Sequence, residues 1–109
     1  MTPVSRTLAY LTELGILAGR VDRRVGPVDM DWPGNKVGFA DVLAILPTGP
    51  LFIQVTSHSN HAARVRKIKE QSAHVVRTCL RCGCTVEVWS WKRDEDEPRV
   101  EAITVESLS

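Results

Sequence analysis

Asp41 is the residue whose setting asks for chemistry. It interrupts Phe39-Ala40-Asp41-Val42-Leu43-Ala44-Ile45-Leu46, a run otherwise apolar throughout and patterned like a strand covered on both faces. A carboxylate placed there is costly unless it is hydrogen-bonded, ion-paired or holding a cation. Pro47-Thr48-Gly49-Pro50 then turns the chain, and Leu51-Phe52-Ile53-Gln54-Val55-Thr56-Ser57 resumes a β-rich run, so the two read as an antiparallel hairpin. Folded this way, Asp41 near the start of one strand lies beside Gln54, Thr56 or Ser57 near the end of the other. Gln54 and Thr56, two residues apart, share a face. With Asp22 from a neighbouring strand the group holds two carboxylates and two neutral oxygen donors. Such a set suits Mg²⁺ or Mn²⁺, with waters completing an octahedron. The plainer alternative is an aspartate that caps a loop or pairs with an arginine.

The elements that must position these residues can be traced along the chain. Val4, Leu8, Leu11 and Leu14 recur at helical spacing over residues 4–14, and Gly15 is placed to stop the helix. Residues 17–25 alternate weakly and predict a strand, with Asp22 and Arg24 opposite Val21 and Val25, before Gly26-Pro27 breaks the pattern. Pro33-Gly34-Asn35 predicts a loop over 29–36. After the hairpin, Ser59 or Asn60 can cap a helix. Val65, Ile68, Ser72, Val75, Val76 and Cys79 then repeat as one side of a single long helix that Gly83 ends. Thr85-Val86-Glu87-Val88-Trp89-Ser90-Trp91 alternates like a strand, and a last strand over 99–105 follows the acidic loop 94–98. The order is α-β-β-β-α-β-β. A chain of 109 residues with 43% apolar and 25% charged residues is one globular α/β domain, 1–109. Its apolar runs fall far short of the ~18 residues of a membrane helix. The N-terminus carries no readable targeting signal, so a cytoplasmic location is the expectation.

The net charge of +1 hides a polar molecule. Between His58 and Arg81 stand Arg64, Arg66, Lys67, Lys69, Arg77 and Arg81 against Glu70 alone, whereas Asp94, Glu95, Asp96, Glu97, Glu101 and Glu106 face only Arg99 at the C-terminal end. Arg64, Arg66, Lys67 and Lys69 are placed to meet phosphate oxygens of a nucleic acid, positioning it without reading bases. Lys36, Ser57 and Asn60 are further candidates near the same end of the hairpin, and His58 in that loop is a candidate general base.

Gly38-Phe39-Ala40-Asp41-Val42-Leu43-Ala44, Phe52-Ile53-Gln54-Val55-Thr56-Ser57, Ala63-Arg64-Val65-Arg66-Lys67-Ile68 and Val86-Glu87-Val88-Trp89-Ser90-Trp91-Lys92, in this order, resemble the restriction-endonuclease-like, or PD-(D/E)XK, nuclease superfamily. They look like its small phage and prophage members, in a group that includes Holliday-junction resolvases. The resemblance runs from the first helix to Trp91. It implies an αβββαβ core, a central mixed β-sheet flanked by helices, and metal-dependent hydrolysis of DNA phosphodiesters. Asp41 falls on the metal-binding Asp of the second strand, Gln54 on the (D/E) position of the third, and Thr56 on the Lys. A Gln carbonyl can ligate a cation, but Thr56 cannot replace an ammonium that polarises water or phosphate. Two outcomes stay open. A lysine comes from elsewhere, with Lys67, Lys69 or Lys36 as candidates, or the domain binds nucleic acid without cutting it. Asp22 or Glu13 would complete the metal ligands.

Cys79, Cys82 and Cys84 are the only cysteines, and their C-x-x-C-G spacing has the shape of one zinc knuckle. Only half a site is present. His74 or His61 would have to complete it, and packing at a helix-to-strand junction is the preferred reading over Zn²⁺. Trp89 and Trp91 share a strand face and are expected to pack against a helix or a partner subunit, which makes a homodimer plausible. A rival function is that of a phage-encoded, protein-binding regulator that uses the acidic segment or the tryptophans.

Overall fold

The computed structural model describes residues 1–22 and 39–108. The expected end of the first strand at Val25, the loop 29–36 with Lys36, and Gly38 lie outside them. Pro3 and the Thr2 side chain, which accepts the Ser5 N–H at 3.1 Å, start helix α1 (Pro3–Glu13). Leu14 caps it, and Gly15 follows at φ 74°, a left-handed conformation that favours glycine. Five strands follow: β1 (Leu17–Arg20), β2 (Val42–Leu46), β3 (Gly49–Ser57), β4 (Thr85–Trp91) and β5 (Arg99–Ile103). They form one sheet in the order β1-β2-β3-β4-β5, antiparallel except for the parallel pair β3–β4. The chain is thus α/β, a mixed sheet with helices on both faces.

The hairpin is tighter than the four-residue turn expected. Leu46 pairs with Gly49, so only Pro47 and Thr48 lie between the paired positions. The predicted long helix is two helices, α2 (His61–Gln71) and α3 (Ala73–Arg81), preceded by a 3₁₀ turn at His58–Asn60. Ser72 breaks it at φ −126°, ψ 10°. The Ser72 N–H still reaches the Ile68 carbonyl and the Val76 N–H the Ser72 carbonyl, each at 3.0 Å, so the chain bends without unwinding. The bend lets Val65 and Ile68 of α2 and Val76 of α3 enter one core over a twisted sheet, with a serine, weakly helix-forming, at the joint.

Alternation along the strands splits the interior into two cores. On one face α2 and α3 bury Val86, Val88 and Ile103 together with Phe39 and Ala40, which precede β2. On the other, α1 buries Val42, Ala44, Leu51, Ile53, Val55, Trp89 and Trp91 under Leu11. The tryptophans therefore pack against a helix of their own chain: Tyr10 lies edge-on to both rings with centroids 5.8 Å away, and the Trp91 indole N–H donates to Thr7 Oγ1 at 2.8 Å. Arg6 lies over the Trp91 ring at 4.5 Å and donates to the carbonyls of Lys92 and Glu95, which ties the acidic segment to the α1 side. Gly49, at φ 131°, approaches the α3–β4 connection so closely that a Cβ there would stand 3.1 Å from the Gly83 carbonyl oxygen. None of the described helices is long and apolar enough to cross a membrane.

Candidate functional site

Register brings the first two candidates together. Val42 pairs with Ile53, so Asp41, one residue before β2, falls opposite Gln54 on the face that carries α2. The Asp41 backbone N–H donates to the Ile53 carbonyl at 2.9 Å, and its own carbonyl accepts the Val21 N–H at 3.0 Å. Its carboxylate Oδ2 accepts twice, from the Val55 backbone N–H at 2.9 Å and from the Gln54 side-chain Nε2–H at 2.7 Å. Gln54 is buried and Asp41 half-buried. Burial pushes the Asp41 carboxyl above the usual carboxylate range, and the Val55 N–H opposes that rise. Asp22 also raises it, while Arg64 and Arg20 lower it.

Three charged groups thus act on this one acid, Asp22, Arg64 and Arg20. Arg64, on α2, is half-buried. Lys67 follows it by three residues on the same flank of the helix, while Arg66 and Lys69 fall on the opposite flank, separated by the buried stripe His61, Val65 and Ile68. The expected basic face is thus two flanks. Asp22 is held by Arg20 in a fork, Nε to Oδ1 at 3.0 Å and Nη2 to Oδ2 at 3.1 Å, so both of its oxygens are already engaged. Glu13 lies elsewhere, lining a cleft on the α1 side with Arg6, Trp91 and Asp96. Thr56 is buried beside Ser90 in register and has no hydrogen bond to Asp41 or Gln54. Ser57 meets Ser59, the two hydroxyls 3.3 Å apart, and Asn60 precedes α2 without a side-chain capping bond. Lys36 lies outside the described residues.

For a divalent ion the chemistry of the donors is what counts. Gln54 now turns its amide nitrogen to Asp41. Rotating that amide by half a turn would present its carbonyl oxygen beside the carboxylate, and an ion could then take both. Among the described residues no group of three or more His, Cys, Asp or Glu side chains is arranged to hold a metal. The donors an ion could meet here are thus the Asp41 carboxylate and, after that rotation, the Gln54 carbonyl.

Sequence reasoning missed a buried polar network on the same face. His61, at the first position of α2, has Nδ1 2.7 Å from Ser90 Oγ on β4 and Nε2 3.0 Å from Glu101 Oε1 on β5. A carboxylate only accepts, so Nε2 carries the proton, and in the neutral ring Nδ1 accepts from the Ser90 hydroxyl. The network pins the start of α2, and with it Arg64, to the sheet. The signal was present: His61 precedes Val65 by four residues and Ile68 by seven, which puts it on the buried stripe. His61 is thereby remote in role from the thiols, of which Cys79 and Cys84 are half-buried and Cys82 exposed, all three unpaired. Comparison of the chain with protein-family models, with curated proteins and with solved structures gave no match.

Proposed function

We propose that this chain is a small nuclease-like α/β domain that binds DNA and hydrolyses its phosphodiesters with Mg²⁺ or Mn²⁺ at Asp41. The element order supports an αβββαβ core, and β5 extends it at one edge. The observation that carries the reading is the Asp41–Gln54 contact, a half-buried carboxylate on the α2 side of the sheet with Arg20 and Arg64 in its field. Asp41 Oδ1 and the rotated Gln54 carbonyl would hold the ion. A bound divalent ion supplies a more acidic water and neutralises charge developing on the phosphate. Arg64 and Lys67 fix phosphate oxygens beside Asp41. Arg66 and Lys69 extend the contact along the duplex. Val55 holds the Asp41 carboxylate in place through its N–H.

Binding without cleavage is a second reading. It is favoured by Thr56, which is buried next to Ser90 and brings no cation to the site. Incubation with duplex, single-stranded and branched DNA plus Mg²⁺ or Mn²⁺ separates the two. The nuclease reading expects cuts by the parent and none by Asp41→Ala. Retention of DNA by both proteins with no cuts supports the second reading, and equal cutting by both removes Asp41 from the chemistry. A homodimer belongs to the proposal as a way to present two such sites to two strands. It takes no support from Trp89 and Trp91, which α1 covers.

A further inference from the structure

The sheet is covered unequally. Two helices pack on the Asp41 face, but the single helix α1 must cover the other, and it lies over β1, β2, β3 and β4. Between the end of α1 and β5 it leaves a groove of about 320 Å³, at the small end of the range for binding pockets. Its walls include Tyr10, Leu14, Leu46, Trp89 and Val100. Leu14 on one bank is 58% exposed and Val100 on the other 48%. Large apolar side chains on both banks of an open groove leave apolar surface in water that an apolar partner could cover.

Two carboxylates line the same groove, Glu87 and Glu97. Glu87 is half-buried on the apolar face of β4; its Oε1 accepts the Trp89 indole N–H at 2.9 Å, and its Oε2 has no hydrogen bond among the described residues. Glu97 is exposed and has neither ion pair nor hydrogen bond among them. Asp94, Glu95 and Asp96 adjoin it on the segment that Arg6 holds to this side. An apolar seat edged by unneutralised acids calls for an occupant that is apolar and cationic. The chain's own basic helix α2 does not offer this. Its outward residues are Ala62, Ala63, Arg66, Lys67, Lys69, Glu70 and Gln71, with no large apolar side chain to seat.

We propose that the α1–β5 groove docks a basic amphipathic segment of a partner protein, one large apolar side chain entering between Leu14 and Val100 while a neighbouring Lys or Arg meets Glu87 and Glu97. The occupant lies on the face opposite the Asp41 site, so the inference stands apart from the DNA reading. The probe is a helical peptide of Leu and Lys, with a Leu/Glu counterpart, titrated into the isotope-labelled full chain and followed by NMR. The Leu/Lys peptide is expected to shift the Trp89 indole N–H and the Val100 amide, and the Leu/Glu peptide to leave them in place. Glu87→Gln with Glu97→Gln is expected to weaken binding about tenfold or more, and Val100→Lys to remove it, while both variants keep the dispersed spectrum of the folded parent. Equal binding of both peptides overturns the proposal, as do shifts confined to the amides of residues 94–96. A Trp89 signal that moves with protein concentration alone gives the groove to a second copy and also overturns it.

Discussion

The two faces of the sheet bury similar numbers of apolar side chains but hold their polar groups differently. Under α2, the polar groups are bonded inside the structure: Asp41 to Gln54 and Val55, His61 to Ser90 and Glu101. Under α1, the polar bonds serve aromatic rings, Thr7 to Trp91 and Glu87 to Trp89, and the remaining acids face outward. The first face is built to place charge at a fixed point. The second is built on aromatic packing and leaves its rim open, so damage to it should be felt as stability more than as ligand affinity.

The largest expected effect tests that contrast. Trp91→Ala removes a 5% exposed ring and leaves Thr7 without its donor. It should cost about 3–5 kcal/mol in urea unfolding, while the folded fraction keeps the DNA affinity of the parent. His61→Ala leaves the buried Ser90 hydroxyl without its partner and releases Glu101, whose side chain is 40% exposed, and should cost about 1–3 kcal/mol. Unlike Trp91→Ala, it should also weaken DNA binding, because the start of α2 is released. Comparable affinity loss in both variants would erase the distinction between faces.

Asp41→Ala leaves the Val55 N–H and the Gln54 amide without their acceptor and should cost about 1–2 kcal/mol. Asp41→Asn keeps an acceptor and should cost less. The pH dependence has a definite sign. Asp41's pKa is raised in the folded state, so the folded chain holds that proton more tightly. Its stabilising contribution is fully present below the unfolded-state value of 3.8 and is lost as pH rises through the higher folded-state value. Unfolding free energy followed across the acid range should show this component in the parent but not in Asp41→Asn, and Mn²⁺ should restore part of the loss in the parent alone. The smallest effects concern the flanks of α2. Arg64→Ala and Lys67→Ala should each lower the slope of log affinity against log salt by about one. Arg66→Ala and Lys69→Ala should do the same but leave any cleavage rate of bound DNA unchanged.

Much of this arrangement was legible because hairpins and periodic helices are local. The Pro-Thr-Gly-Pro turn and the alternation around it brought Asp41 to the stretch Gln54, Thr56 and Ser57, and the choice of Gln54 among them came from the tighter turn, in which Leu46 already pairs with Gly49. The break at Ser72 was not legible, since the helical spacing continues through it from Ile68 to Val75 and Val76 and a single serine within a helix does not by itself end one. Nor was the Arg20–Asp22 fork, formed between neighbours at the end of a short strand, where side-chain rotamers and not periodicity decide the partner. Thr56 was placed on the right face, but its neighbour across the parallel pair, Ser90, lies 34 positions along the chain, beyond what local spacing reaches.

That parallel pair has no connecting turn to set its alignment, and alignment decides everything above. If β4 slipped by a single step, Trp89 and Trp91 would leave α1 and Ser90 would turn away from His61. Where both strands begin, Gly49 lets the chain come close to the Gly83 carbonyl without a Cβ in the way. A side chain at position 49 would press on that carbonyl and push apart the start of the very pair that keeps the aromatic half and the acidic half of the molecule in phase.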